Sequence, residues 1–344
     1  MKNGVRTGLL TLVMVSTPVM AERSGVSFSY KDWEVVCDNT LTCRAAGYSH
    51  EEGSGGSVLL TRKAGSGTAV TAEVRLAEIE SDSNPPELSL WINDQSAGEV
   101  KPAKDDTWQL AEKQTQNLIN AVKGSGKVEF RGGSETFLLS GEGAYAVLLK
   151  MDEAQGRIGT SGALTQKGDR PESSVKAAIP APVIQRMKTQ KGEERALTAP
   201  ELAVLKPKLL ATLTENDGCD RIQPSEGQEP ETIGLMPIDS KHVLISALCW
   251  RAAYNEGYGY WVADSKLQGQ PVLITASGTY YHDGEIIMGQ KGRGHGDCWG
   301  MASWIWDGET FRMSKESTTG MCRYIRLGGT WDLPGWVTDV KSAK

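Results

Sequence analysis

Asp32-Trp-Glu-Val-Val-Cys-Asp-Asn-Thr-Leu-Thr-Cys-Arg-Ala-Ala-Gly47 is the run that decides the class of fold. Trp33 to Cys37 and Thr42 to Ala46 carry β-branched and apolar residues, and the segment between the two cysteines is rich in turn formers. This pattern predicts two strands joined as a hairpin and tied by a Cys37–Cys43 bridge. Outward from it, Ser57–Thr61 reads as a strand after a Gly/Ser loop at 53–57. The alternation Val70, Ala72, Val74, Leu76 gives a strand over 70–79 one apolar face, and Leu88–Ile92 reads as another. Leu110, Gln114, Leu118, Ile119 and Val122 share a side of a helix predicted over 107–122, with Gly124 as its stop. A short hairpin over 127–139 turns at Gly132-Gly133, and Ser140 is placed to cap a second helix over 141–154.

The chain is 344 residues long, 39% hydrophobic and 23% charged, which is globular and long enough for two domains. From residue 157 to 214 the composition shifts to Gly, Pro, Ser, Lys and Glu, which predicts a linker. Thr198-Ala-Pro-Glu201 has capping-box spacing, so a helix is expected near 199–213, bent at Pro207. Beyond it, strands are predicted at 241–249, 258–262, 271–275, 285–289, 299–306 and 321–326. Asp283-Gly284 and Asp307-Gly308 mark hairpin turns between them. A two-residue turn at Asp307-Gly308 would set Trp304 opposite Phe311. Cys249-Trp250 and Cys298-Trp299, each opening an aromatic-rich stretch, hint at a two-fold repeat. The expected fold class is therefore α+β: an N-terminal α+β domain over 22–156, with the tied hairpin, a sheet and two helices, and a mostly antiparallel β domain over 215–344.

The N-terminus reads as an export signal. Lys2 and Arg6 precede an apolar run from Gly8 to Val15, and Val19-Met20-Ala21 places small or medium residues before a cleavage point after Ala21. No lipobox cysteine follows, so an exported, unanchored, periplasmic or secreted product is expected. No apolar stretch is long enough for a membrane-spanning helix. In an oxidising compartment six cysteines predict disulfides, and we expect sequential pairing, Cys37–Cys43, Cys219–Cys249 and Cys298–Cys322. Lacking CxxC and paired histidines, the sequence predicts no metal site and no cofactor. With 37 Lys+Arg against 43 Asp+Glu the formal charge is −6, so there is no basic field for nucleic acid.

The run 32–47, the strand Ser57-Val-Leu-Leu-Thr-Arg62 and the segment Met151-Asp-Glu-Ala-Gln-Gly-Arg-Ile-Gly-Thr160 together resemble the bacterial family known as domain of unknown function 1176. The Trp-x-x-x-Cys start also resembles, more loosely, exported proteins of the invasion-associated locus B type. The resemblance implies an exported protein of Gram-negative bacteria and carries over no catalytic residue.

Three features compete for a functional role. Gly292-Arg-Gly-His-Gly-Asp-Cys298 alternates Arg293, His295 and Asp297 on a glycine-rich backbone, and could bind an anion or position a base. The plainer reading is a loop fixed at Cys298, since no helix follows to complete an anion site. His282 and Asp283 are adjacent in a strand and point to opposite faces, and the Asp-Gly turn accounts for Asp283 by itself. Seven of the ten tryptophans lie beyond residue 249; most are expected in the core, while Trp331 and Trp336, flanking Leu333-Pro334-Gly335, are expected at the surface. No Gly-x-Ser-x-Gly elbow occurs. The expectation is a binding or interaction module of the cell envelope, with a protein or glycan ligand. The alternatives are an envelope hydrolase or glycan-processing enzyme using two unmarked carboxylates, and an inhibitor of other enzymes presenting rigid loops.

Overall fold

The computed structural model describes residues 25–50, 52, 55–77, 87–132, 135–223 and 231–342. The expected leader at 1–21, Gly133 and part of the Gly/Ser loop lie outside them. The deciding hairpin forms as expected, and its register sets Trp33 opposite Gly47 and Cys37 opposite Cys43. It belongs to a ten-stranded sheet built from β1 (Val26–Tyr30), β2 (Trp33–Cys37), β3 (Cys43–Tyr48), β4 (Gly56–Arg62), β5 (Val70–Leu76), β6 (Leu88–Ile92), β7 (Gln95–Pro102), β8 (Trp108–Gln109), β9 (Val128–Gly132) and β10 (Glu135–Leu139). Their order is β1-β2-β3-β4-β5-β8-β7-β6-β9-β10.

Both faces of β2, β3 and β4 are covered, which is why their sequences are nearly continuous apolar runs. Trp33, Val35, Ala45, Val58 and Leu60 face a core completed by α1 (Glu112–Val122) and α2 (Ala144–Gln155). Val36, Ala46, Tyr48 and Leu59 face the other way, against Ile325, Trp331 and Leu333 from near the end of the chain. Trp33 lies across Gly47, where any Cβ would strike its ring, and its indole N–H donates to the Ser140 carbonyl at 2.7 Å.

Each N-terminal helix starts later than the periodicity predicts. Trp108 and Gln109 are taken by the sheet, so α1 begins at Glu112, with the Gln114 side chain accepting the Ala111 N–H at 2.9 Å. Ser140 instead accepts the Glu142 N–H, and α2 starts after Gly143 in the left-handed region. The composition change at 157 does not end the packing on the first sheet. Arg157 is fully buried and donates to the carbonyl of Gly65 and the hydroxyl of Thr68.

Farther along, β11 (Val183–Arg186) and β12 (Arg195–Ala196) precede α3 (Ala199–Leu210). The Thr198–Glu201 capping box closes as expected, both Thr198 N and Oγ1 lying 2.8 Å from Glu201 Oε2. Next come β13 (Gly234–Pro237), β14 (His242–Arg251), β15 (Glu256–Asp264) and β16 (Val272–Gly278), which with β12 form an antiparallel sheet. A second five-stranded sheet holds β17 (Tyr280–His282), β18 (Glu285–Lys291), β19 (Trp299–Trp306), β20 (Phe311–Thr318) and β21 (Leu333–Val337). Strand β22 (Asp339–Ser342) pairs in parallel with β11.

Alternation along β14 makes the β12–β16 sheet a middle layer. Val243, Ile245, Ala247 and Cys249 pack on Leu205 and Leu209 of α3. Leu244, with Tyr260 and Val262 of β15, packs on Ile286, Ala302, Trp304 and Trp306 of the second sheet. Disulfides join Cys37–Cys43, Cys219–Cys249 and Cys298–Cys322. The chain is thus α+β, mostly sheet with three α-helices among the described residues.

Of three local expectations, one holds and two are corrected. At Asp283-Gly284 the two-residue turn forms, His282 pairing with Glu285. At Asp307-Gly308 it does not: Trp306 pairs with Phe311 and Trp304 with Met313. Asp307 accepts the backbone N–H groups of Glu309 and Thr310, which lengthens the turn to four residues. Residues 321–326 form no strand, because Cys322 is drawn to Cys298 and the Met321 N–H is taken by Glu34 at 2.7 Å.

Candidate functional site

The glycine-rich loop at 292–298 is a clasp. Arg293 directs Nε and Nη2 at the two carboxylate oxygens of Asp297, each at 2.8 Å, and Nη1 at Glu52 at 3.1 Å. Asp297 is fully buried and also accepts the Tyr324 N–H at 2.7 Å. Burial pushes its carboxyl up, but the hydrogen bonds from Arg293 and the backbone prevail and hold it below the usual range. A carboxylate and guanidinium so fully used by each other are poorly placed to serve a ligand. His295 is not brought to the pair; it is exposed, with its ring edge-on to Tyr324 at 5.3 Å.

Trp331 and Trp336 are not surface residues; only 7% and 8% of their area is accessible. Trp331 donates its indole N–H to Ser57 Oγ at 2.7 Å, and the Arg75 guanidinium lies 5.0 Å over its ring. The turn residues Pro334 and Gly335 instead fall inside strand β21. Trp336 bonds the Met313 carbonyl at 3.1 Å and shows part of its ring to a groove along β11.

A cleft that the sequence did not mark lies between the two C-terminal sheets. It encloses about 320 Å³, and Tyr258, Tyr260, Tyr280 and Tyr281 line it with Glu194 and Glu256. Tyr258 and Tyr260 are two apart on β15 and so share its inner face, opposite Leu248 and Ser246 of β14. Tyr280 and Tyr281 come from the short strand β17 across the gap. The Tyr281 ring is fixed edge-on to Phe311 at 6.0 Å, and its hydroxyl accepts the Gly284 N–H at 3.1 Å. Tyr280 is about half exposed, at 51%, and stands free to meet a ligand.

One backbone position places the first carboxylate. Gly234 pairs with Ser246, and any Cβ at Gly234 would collide with Glu194. The absent side chain lets Glu194 pass over the strand and accept a short hydrogen bond from the Ser246 hydroxyl. Glu256, at the start of β15, is bracketed by the Arg251 guanidinium at 3.1 Å. Burial and the Glu194 charge push the Tyr260 phenol up, and burial and Glu256 do the same for Tyr258. Both phenols therefore stay protonated at neutral pH and can donate hydrogen bonds.

The lining offers ring faces, hydroxyls and carboxylate acceptors, and among the lining residues no Lys or Arg. Such a surface suits a neutral or cationic ligand with alternating apolar faces and O–H or N–H donors, and repels anions. The sequence did carry a signal for it: Glu256, Tyr258 and Tyr260 recur at a spacing of two, which places them on one face of a strand. What it lacked was the second wall, supplied by Tyr280 and Tyr281 from another sheet.

Comparison with known proteins places this architecture among sequences rather than structures. The family model described as Protein of unknown function (DUF1176) matches residues 27–338. The chain is 24% identical to the "Uncharacterized protein YpfG" of Escherichia coli (strain K12), over 90% of this chain and 92% of that protein. No solved structure matches the chain.

Proposed function

This chain belongs to the DUF1176 family of proteins of unknown function, and for it we propose the role of an exported, periplasmic cell-envelope protein that binds a glycan in its tyrosine-lined cleft. One observation carries the reading: four tyrosines and two glutamates converge on a cleft whose lining has no Lys or Arg. Pyranose rings present apolar C–H faces that stack on aromatics and hydroxyls that carboxylates accept, so the lining and a sugar chain are chemically complementary. Three disulfides and a leader-like N-terminus fit a protein working outside the cytoplasm.

Glycoside cleavage would need one of the two carboxyls kept protonated as an acid. Both carboxyls are already engaged within the protein, Glu256 by the Arg251 guanidinium at 3.1 Å and Glu194 by the Ser246 hydroxyl, so neither is free to serve a leaving group. That arrangement supports binding over hydrolysis. The test is co-sedimentation of the mature protein, residues 22–344, with purified peptidoglycan sacculi, followed by analysis of soluble products. Retention without released fragments is expected. Failure to co-sediment would overturn the glycan reading, and release of fragments would replace binding with hydrolysis.

A further inference from the structure

A second cavity, of about 380 Å³, lies on the far side of the molecule's N-terminal sheet, between α1 and the segment 162–167. Its chemistry is opposite to that of the cleft. Arg62, Lys123 and Lys167 line it, against a single acidic side chain, Glu112. Arg62 is 5% exposed and spends Nε on the Thr68 carbonyl at 3.0 Å and Nη1 on the Gly162 carbonyl at 2.9 Å. Asp152 is 3.8 Å from Nη1 and is turned toward Leu164 and Thr165, whose N–H groups its other oxygen accepts at 2.8 and 2.9 Å. The Asp152 oxygen facing Arg62 makes no hydrogen bond, so the two form an ion pair without a direct bond between them.

Two further observations point to an anionic ligand. Thr115, on the buried side of α1 and 1% exposed, lines the same cavity with its hydroxyl unpartnered. A buried hydroxyl without a partner is costly, and a ligand oxygen at this position would satisfy it. The cations also crowd one another: burial and then the neighbouring Arg157 hold Arg62 down to about 10 against the pull of Asp152 and Glu172, and burial and Lys167 lower Lys123. The remaining wall is mixed, with Val70, Ile119 and Leu164 apolar beside the polar Gln116 and Asn120, and the space exceeds what a bare oxyanion fills.

We propose that this pocket binds the phosphate or carboxylate end of a small organic molecule, with Arg62, Lys123, Lys167 and Thr115 holding the oxyanion and Val70, Ile119 and Leu164 covering its apolar body. The site is separate from the cleft, and its fate does not depend on the glycan reading. Calorimetric titration of the mature protein with phenyl phosphate, benzoate and phenol at low ionic strength tests it. Saturable binding of phenyl phosphate or benzoate is expected, and the tighter of the two identifies the anionic group. Lys123→Met and Lys167→Met should each weaken binding about tenfold, and Thr115→Val by a few fold. Tyr280→Ala, in the cleft, should leave it unchanged. Lys167 is exposed, so its variant should melt like the parent and carries the test; Lys123 also donates to the Leu164 carbonyl at 2.7 Å, so its variant is read beside its melting temperature. Phenol binding as tightly as either anion, absence of saturation, or lysine variants that bind as the parent does would each overturn the proposal.

Discussion

Trp331 donates its indole N–H to the hydroxyl of Ser57 across 274 residues of sequence, and both side chains are buried. The contact ties the loop after β20 to the centre of the ten-stranded sheet. Ser57→Ala leaves the indole N–H unpaired in the core and should cost about 1 to 3 kcal/mol in urea unfolding. Trp331→Ala also opens a cavity and should cost about 3 to 5 kcal/mol. A Ser57→Ala variant with an unchanged unfolding midpoint would show that the bond contributes nothing net.

The clasp at the glycine-rich loop predicts a second loss. Asp297→Ala strips Arg293 of its bidentate partner and frees the Tyr324 N–H, and should lower unfolding stability by about 2 to 3 kcal/mol. Since the native state holds this carboxyl below its ordinary value of 3.8, its contribution is present above that value and fades as pH falls through the lower native one. His295→Ala, by contrast, should be within about 0.5 kcal/mol of the parent.

Glu34 has the reverse pH dependence. It accepts hydrogen bonds from Tyr48 at 2.6 Å and from the Met321 N–H at 2.7 Å, but burial outweighs them and raises its carboxyl above the ordinary 4.5. The native state then holds the proton more tightly than the unfolded chain, so stability falls as pH rises from 4.5 through the raised value. Glu34→Gln keeps an acceptor oxygen and removes the charge. Its stability at pH 7 should equal or exceed the parent's, with that pH slope gone; a clear loss at pH 7 would contradict the assignment.

Opening the Cys298–Cys322 bridge should release the clasp as a unit. Replacing both cysteines by serine removes a link spanning 24 residues and should cost about 3 kcal/mol. The bridge across the six-residue separation at Cys37–Cys43 constrains less chain and should cost about 2 kcal/mol when removed in the same way. Unfolding curves of the two double variants give the comparison.

What could be read from the sequence was local. The hairpin at 33–46, the sequential cysteine pairs, the Thr198 cap and the Asp283-Gly284 turn each depend on residues close in the chain, and each formed. Asp307-Gly308 misled because Asp307 takes two backbone N–H groups of its own turn, a choice its dipeptide does not disclose. Trp331 and Trp336 were expected outside because a Pro-Gly step lies between them. Their burial depends on Ser57 and Met313, partners that no window around residue 334 contains. The cleft was half legible, since Glu256, Tyr258 and Tyr260 keep strand spacing. Its other wall needed the sheets to be stacked.

The glycine under Glu194 offers a way to disturb the cleft without touching its lining. Gly234→Ala should displace that carboxylate from Ser246 and weaken ligand binding several-fold, with little effect on the melting of the rest of the protein. Unaltered affinity would remove Glu194 from the binding surface.

The most direct measurement is a calorimetric titration of the mature protein with soluble peptidoglycan fragments, repeated for Tyr280→Ala and Tyr258→Ala. Saturable binding is predicted, weakened about five- to tenfold by each substitution while the melting temperature of Tyr280→Ala stays at the parent value. Binding that neither substitution weakens, or no binding at all, would contradict the assignment of the tyrosine cleft as a glycan site.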